Sequence, residues 1–443
     1  MVILLLISQK PFERTILMKL KTIDKSYEEV LALPKKKHKK PHKTNLFFRT
    51  LLKTVSLPDL LTTHFSCNKI GMEKLGKKEP ALFLMNHSSF IDLEIAASIL
   101  YPRAFNIVCT SDGFVGKDWL MRQIGCIPTH KFAADLQLIR DMSYAVRTLH
   151  SSVLMFPEAG YSLDGTTTTL PETLGGFVKL LGVPVVMIRT YGAFTRNPLY
   201  NNLKRRKVDV SADMEYLLSE EDVKTKTAKE INEILKKEFA LDYWRWQQES
   251  HIKIGEDFRA EGLNRVLYKC PHCGAESKMK AEAATISCEV CGVTYTLTEE
   301  GYLEACGVEA RFTHVPDWFA WERNEVKKEL LDGTYRLQVP VDICMMVDTK
   351  HVFHVGEGEL THDADGFHLV GCDGKLDYHQ SPVASYSVNS DFYWYEIGDI
   401  ICIGDSKVLY YCFPQTDVDV VAKTRLAAEE LYKIKKITRT EKN

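Results

Sequence analysis

The residues best suited to chemistry in this 443-residue chain gather first in Ala81-Leu-Phe-Leu-Met-Asn-His-Ser-Ser-Phe-Ile-Asp92. Five apolar residues run into a polar turn, and an apolar helical stretch, Leu93 to Leu100, follows. A buried strand thus delivers Asn86, His87 and Ser88 to a strand-to-helix loop, with Asp92 in the first helical turn. His87 and Asp92 lie five positions apart, close enough in such a bend for the carboxylate to hold the imidazole. An imidazole oriented in this way is a general base for a hydroxyl group. Ser88 is expected to form the turn or cap the helix, because a Ser nucleophile needs a His of its own.

A second set is Cys270-Pro-His-Cys-Gly274 and Cys288-Glu-Val-Cys-Gly292, with fourteen residues between Cys273 and Cys288. Cys270, Cys273, Cys288 and Cys291 offer four thiolates at tetrahedral zinc spacing. Four protein ligands leave no open position, so Zn2+ is expected to be structural, although the spacing alone also admits iron. His272 is expected to be exposed rather than coordinating. The following strand-like segment, Val293 to Thr298, makes the whole resemble a rubredoxin-like zinc ribbon. The other eight cysteines are scattered singly, as in a reducing cytosol without a disulfide framework.

The elements around the first motif alternate. Ala81–Met85, Ala104–Cys109, Ser152–Phe156, Val183–Ile188 and Val208–Met214 read as strands. Helical stretches near 92–101, 116–124, 134–149 and 171–181 separate them, and Lys224–Phe239 is a further helix. The pattern predicts an α/β layered domain with a largely parallel sheet whose strand-end loops carry the chemistry. Two of those loops stand out: Gly125-Cys-Ile-Pro-Thr-His-Lys131, and the strand and turn Ser151-Ser-Val-Leu-Met-Phe-Pro-Glu-Ala-Gly160 with Ser162 behind it.

Together with Val183-Pro-Val-Val186, these blocks resemble, in order and spacing, the glycerolipid acyltransferases typified by 1-acyl-glycerol-3-phosphate acyltransferase. The resemblance covers roughly residues 65–215. It implies that His87 takes the proton from an acceptor hydroxyl attacking an acyl thioester, with Asp92 orienting it. It also implies that Lys131, Glu158 and Gly160, with Asn86 and Ser88, form the substrate-binding residues. Two departures touch the acceptor's phosphate. Lys131 stands where the family has Arg, and Ala159-Gly-Tyr161 stands where Gly follows the Glu and an Arg comes soon after. Arg grips phosphate bidentately, whereas Lys is a point charge. His130 and Arg189 are candidates for replacement charge.

Composition bounds the rest. Net charge is −2, so no general polyanion binding is implied, and no nucleic acid is expected as a partner. No apolar run approaches the roughly 18–20 residues needed to span a bilayer. Met18 begins Met-Lys-Leu-Lys and is a plausible alternative start, so residues 1–17 carry no weight. Lys35-Lys-Lys-His-Lys-Lys-Pro-His-Lys43 is a basic run, and Asn45–Leu57 is apolar on one face at helical spacing. The pair suits either docking on an anionic membrane or a solvated linker before a core helix.

After Pro316 come a helix to Leu331, several short strands and a closing amphipathic helix, Val418 to Lys435. The strands read as 337–347, 352–354, 359–361, 367–370, 383–388, 392–396, 400–403 and 408–413. This order resembles a pleckstrin-homology-like barrel, either a partner- or lipid-binding module or a packing domain. Phe392-Tyr-Trp-Tyr395 is expected in its core. Four units are therefore expected: a basic N-terminal segment (1–44), an acyltransferase domain (45–260), a zinc ribbon (261–308) and a β-barrel-like domain ending in a helix (309–443).

The expected activity is acyl transfer from acyl-CoA or acyl-acyl carrier protein to a lysophospholipid, cytoplasmic and peripheral on the inner face of a membrane. The most direct case converts 1-acyl-glycerol 3-phosphate to phosphatidate. The alternative is a lipid- or protein-binding scaffold built on an acyltransferase-like fold.

Overall fold

The computed structural model describes residues 20–34, 37–133 and 135–441, with side chains described as far as residue 437. The segment before Leu20, with its alternative start, and Lys35 and Lys36 of the basic run lie outside the described residues. The chain enters as β1 (Thr22–Asp24) and α1 (Tyr27–Leu31), then crosses to α2 (Leu46–Thr62), which is capped by the Asn45 side chain on the Phe48 N–H at 3.0 Å.

The α/β unit follows as β2 (Ser66–Ile70), β3 (Leu82–Met85), α3 (Ile91–Ile99), β4 (Phe105–Thr110), α4 (Asp118–Gln123) and β5 (Cys126–Thr129). It continues through α5 (Leu136–Arg147), β6 (Ser152–Met155), α6 (Leu174–Leu181), β7 (Val185–Tyr191) and β8 (Ser211–Leu218). The sheet order is β2-β8-β7-β3-β6-β4-β5, and every neighbouring pair is parallel except β7 with β8. Leu82, Phe83, Leu84 and Met85 are all fully buried, because helices cover both faces of the sheet. Ile91, Ile95 and Leu60 pack on one face, and Met142, Val178 and Leu235 on the other.

The sequence pattern does not show β2 and β5. Four of the five β2 residues are exposed and β5 contains Pro128, so neither carries an apolar strand pattern; both are edge strands, where such residues are tolerated. The expected helix 224–239 is two helices, α7 (Glu220–Thr225) and α8 (Ala228–Glu238). The capping boxes Ser219/Asp222 and Thr227/Glu230 start a new helix at each step. Helix α9 (Tyr243–Glu249) then returns to the sheet's loops.

The four short strands β9 (Met279–Glu282), β10 (Thr285–Cys288), β11 (Thr294–Leu297) and β12 (Leu303–Ala305) form an antiparallel sheet in the order β12-β11-β10-β9. Its core is shared. Tyr295 packs with Trp318 of α10 (Val315–Leu331), in one cluster with Tyr243, Trp244 and Leu426.

The last sheet contains β13 (Leu337–Met346), β14 (Val352–Asp363), β15 (Gly366–Gly371), β16 (Leu376–Gln380), β17 (Asn389–Trp394), β18 (Gly398–Gly404) and β19 (Leu409–Pro414). Its order is β16-β15-β14-β13-β19-β18-β17, antiparallel throughout, with β1 added in parallel to β14. Residues 352–354 and 359–361 belong to one strand running through Gly356 and Gly358, and 376–380 is an additional strand. Residues 383–388 form a loop rather than a strand.

Helix α11 (Val421–Glu441), expected as an amphipathic helix, is buried on all sides over its first half. From Val421 to Leu431 every residue except Lys423 is buried, because its charges have internal partners. Glu429 accepts from Arg323 at 2.7 Å, from the Ser387 hydroxyl at 2.8 Å and from Thr169 at 3.3 Å. Among the described residues no helix is long and apolar enough to cross a membrane.

The β-rich unit docks against the C-terminal ends of β4 and β5. Asp112, just past β4 and nearly fully buried, accepts from Trp394 Nε1 (3.2 Å), the Tyr395 hydroxyl (3.4 Å) and the Tyr411 hydroxyl (3.3 Å). His130, just past β5, donates from Nδ1 to the Asp405 carbonyl at 3.0 Å. Replacing Asp112 with Ala leaves three donors without their acceptor, and buried unsatisfied donors cost about 1–3 kcal/mol each. Asp112→Ala is therefore expected to lower unfolding stability by about 3 kcal/mol and to hasten proteolytic cleavage around 381–388, read by denaturant titration and limited proteolysis.

Candidate active site and metal centre

The strand order decides which loops meet. Because β3 lies between β6 and β7, the turn after β3 faces Glu158 beyond β6 and Thr190 near the end of β7. Asp92, fully buried in the first turn of α3, collects the donors of that turn. Its Oδ2 takes the Ser88 N–H at 2.7 Å, the Ser89 N–H at 3.1 Å and His87 Nδ1 at 3.1 Å; its Oδ1 accepts from the Thr190 hydroxyl at 3.4 Å. Two backbone donors and the N-terminus of α3 thus converge on this carboxylate. The N-cap position of α3 is Phe90, with no side-chain cap, so the Asp92 carboxylate rather than the Ser88 hydroxyl organises this turn.

His87 is held on three sides. Nδ1 faces Asp92, Phe156 stacks on the ring at 4.1 Å and 23°, and Tyr161 tilts against it at 4.5 Å. The His87 side chain keeps 23% of its surface exposed, while Asp92 keeps none. Asn86 is almost fully buried. Its amide pairs with the Thr190 backbone like an extra strand residue, accepting the N–H at 2.8 Å and donating to the carbonyl at 3.2 Å. Its amide also meets the Tyr243 hydroxyl, brought in by α9.

Glu158 ties the β6 loop to the β3 turn. Oε1 accepts the His87 N–H at 3.0 Å and Oε2 the Thr168 N–H at 2.9 Å. Burial pushes this carboxyl up to about 7, outweighing those two bonds. Ala159 adopts φ +57°, a conformation natural to glycine, whereas Gly160 has ordinary φ and open space where a Cβ would stand. The backbone requirement for glycine therefore falls at Ala159, the position where the resemblance places Gly, and Gly160 does not meet it. Ser162 is buried inside the loop, receiving the Gly165 N–H at 3.0 Å.

The expected replacement cations are engaged elsewhere. Arg189 is ion-paired with Glu215 and Glu238, and His130 is bonded to Asp405. Lys131 lies near Asp391 of β17, whose carboxyl burial pushes up to about 6 against the pull of the Lys131 charge. Phe156, Tyr161, Thr168, Thr190 and Tyr243 complete the surroundings of the His–Asp pair. Phe156 and Tyr161 lie in the block after β6, but no sequence signal links Tyr243, more than 150 positions from Asn86, to this turn.

Cys270, Cys273, Cys288 and Cys291 bring their sulfurs within 4.8 Å of one another. The Cys270–Cys291 and Cys273–Cys288 sulfur separations are both 3.7 Å. A tetrahedron with metal–sulfur bonds of about 2.3 Å has sulfur–sulfur edges of about 3.8 Å, so the donor set fits such an ion. Gly274 and Gly292 take φ +76° and +75° after each knuckle, with open space around both; conformation rather than crowding calls for glycine. His272 is exposed, with Nε2 2.8 Å from the Tyr295 hydroxyl and outside the four-sulfur group. The cluster could hold a metal such as zinc.

Residues 66–190 match the family model described as Acyltransferase. The matched segment contains the β3 turn, Lys131, Glu158 and Thr190. No curated protein is similar enough to match the chain. Among solved structures, the crystal structure of the 1-acyl-sn-glycerophosphate (LPA) acyltransferase, PlsC, from Thermotoga maritima is similar, with 16% identity and a TM-score of 0.32. That similarity covers 43% of this chain and 78% of the other.

The raised Glu158 carboxyl sets a pH dependence. A buried acid that holds its proton more tightly when folded stabilises the fold least once deprotonated. Its contribution is fully present below the unfolded value near 4.5 and is lost as pH rises through about 7. Unfolding free energy measured for wild type relative to Glu158→Gln is expected to fall across that window, with a slope approaching one proton at its centre, and to be level above it.

Proposed function

We propose that this chain is an O-acyltransferase that moves a fatty acyl group from a thioester donor, acyl-CoA or acyl-acyl carrier protein, to a lysophospholipid hydroxyl. The favoured conversion is 1-acyl-glycerol 3-phosphate to phosphatidate. The observation that carries the reading is the 3.1 Å pair of His87 Nδ1 and a fully buried Asp92 at the end of a central strand. With Asp92 accepting at Nδ1, the other ring nitrogen is the base. It takes the hydroxyl proton as the oxygen attacks the thioester carbonyl, and the developing imidazolium is stabilised by the carboxylate. The thiolate leaves with the electron pair of the broken C–S bond, and no covalent enzyme intermediate is needed.

In this reading Asn86 and Ser88 shape the turn, Glu158 fixes the two loops beside the acceptor, and Lys131 contributes positive charge toward the acceptor's anionic group. Gly160, with open space where a side chain would stand, leaves room for the acceptor in the same loop. The four units 1–44, 45–260, 261–308 and 309–443 remain the proposed domain division. The protein would work in the cytoplasm, peripheral on the inner face of a membrane.

Purified protein incubated with labelled acyl-CoA, or with acyl carrier protein as donor, and a panel of lyso-lipids is expected to acylate at least one acceptor. His87→Ala is expected to lower that rate by at least about a hundredfold with an unchanged melting profile. No turnover by wild type on any acceptor would favour a non-catalytic scaffold, and full turnover by His87→Ala would remove the base.

We further propose structural Zn2+ on Cys270, Cys273, Cys288 and Cys291, where it would cross-link the two knuckles rather than meet substrate. Metal analysis is expected to find one zinc per chain. Cys288→Ser should lose the metal and lower the melting temperature, because this sheet shares its core with α10 and α11.

A further inference from the structure

Helix α2 is apolar outward as well as inward, where Leu60 joins the core. Its exposed residues, Leu46, Phe47, Thr50, Thr54, Leu57, Leu61 and Thr62, include no charge. Phe47 and Leu61 are 65% and 72% exposed. The charges of the helix are turned off this exposed surface. Arg49 bonds the Asn45 carbonyl, Lys53 lies over the Tyr101 ring at 4.5 Å, and buried Asp59 is ion-paired with Arg196 at 2.7 Å and Arg205 at 3.1 Å. A helix facing water is expected to show the opposite arrangement.

The apolar surface continues onto a second helix. Phe47 meets Phe48 edge-on at 5.2 Å, and Phe48 meets Trp119 of α4 at 5.9 Å. Trp119 itself is 67% exposed. The basic run is moored beside this aromatic group. Lys39 reaches Asp118, next to Trp119, at 3.1 Å, and the Arg122 guanidinium bonds the Lys39 carbonyl. Lys40 rests over Tyr144 of α5, and Lys43 donates to the His150 carbonyl. Lys37, Lys39, Lys40 and Lys43 are all exposed.

We propose that the outer face of α2, together with Trp119, lies in the headgroup region of an anionic bilayer, with the lysines of residues 37–43 facing its phosphates. The occupant is argued from charge. An uncharged apolar surface with an aromatic at its edge and a cationic border matches a negatively charged lipid surface. A second copy of the chain would bring the same lysines against one another. This deepens the peripheral-membrane part of the proposed function by naming its surface, and it does not depend on acyl transfer.

The test is sedimentation of the full-length protein with vesicles of phosphatidylcholine plus phosphatidylserine, and with phosphatidylcholine alone, without acyl donor. Wild type is expected to partition onto the anionic vesicles and to be released by raised salt. Trp119→Ala and the double variant Leu57→Glu/Leu61→Glu should each reduce binding by about tenfold or more at unchanged melting temperature, since all three side chains are exposed. Failure of wild type to bind either vesicle, or binding of both variants at wild-type level, overturns the proposal. A wild-type dimer in gel filtration that Leu57→Glu/Leu61→Glu converts to monomer, with unchanged vesicle binding, assigns the face to self-association instead.

Discussion

Burying the Asp92 carboxylate obliges the surrounding chain to supply it with donors, and the architecture around it can be understood from that requirement. Desolvating an unpaired carboxylate is costly, so its oxygens must be met by hydrogen bonds. The Ser88 and Ser89 N–H groups come from its own turn and His87 from the same loop, but the Thr190 hydroxyl comes from β7, a hundred residues later in the chain. Asn86 secures that distant strand by pairing with the Thr190 backbone. The parallel order that sets β3 between β6 and β7 is what makes these contacts possible, and it brings Glu158 onto the His87 N–H as well.

The later units bear on the same edge of the sheet. Asp112 and His130, at the ends of β4 and β5, are bonded to the β-rich unit, and Lys131 lies near Asp391 of that unit. Helix α11 runs through the junction, with Glu429 joining Arg323, Ser387 and Thr169 from three separate segments. N-terminal β1 pairs with β14, so the first and last thirds of the chain are linked directly. The sheet β9–β12, α10, α9 and α11 share one apolar cluster, which makes the cysteine knuckles part of a continuous interior.

The central strands are legible in the amino-acid sequence. Those around residues 82–85, 105–110, 152–155 and 185–191 are buried on both faces or nearly so, and such strands appear as unbroken apolar runs. The cysteine spacing is equally legible as the four-sulfur group. The elements that are misread share a cause. Strands at sheet edges, such as β2 and β5, need no apolar pattern, and the loop 383–388 reads as a strand by composition alone. The closing helix reads as amphipathic when its Glu and Arg residues are assigned to water, whereas α11 satisfies them internally.

From residue types and spacing alone the chain determined a His–Asp pair at the end of a buried strand, an α/β sheet with a largely parallel order, and a thiolate set at metal spacing. These follow from local chemistry: apolar runs must be buried, and a carboxylate five residues from a histidine can reach it within one turn. Tertiary structure decided which distant groups complete the site, because contacts such as Asn86 with Thr190 and Tyr243 depend on strand order and helix return, which local sequence does not encode. It also decided what the pair is held by: a buried carboxylate fed by two backbone N–H groups, a histidine wedged between Phe156 and Tyr161, and a raised Glu158 on its backbone. Arg189, which by sequence could have faced an acceptor, was taken by Glu215 of the neighbouring β8 and Glu238 of α8, since a cation on β7 beside two carboxylates is paired by proximity alone.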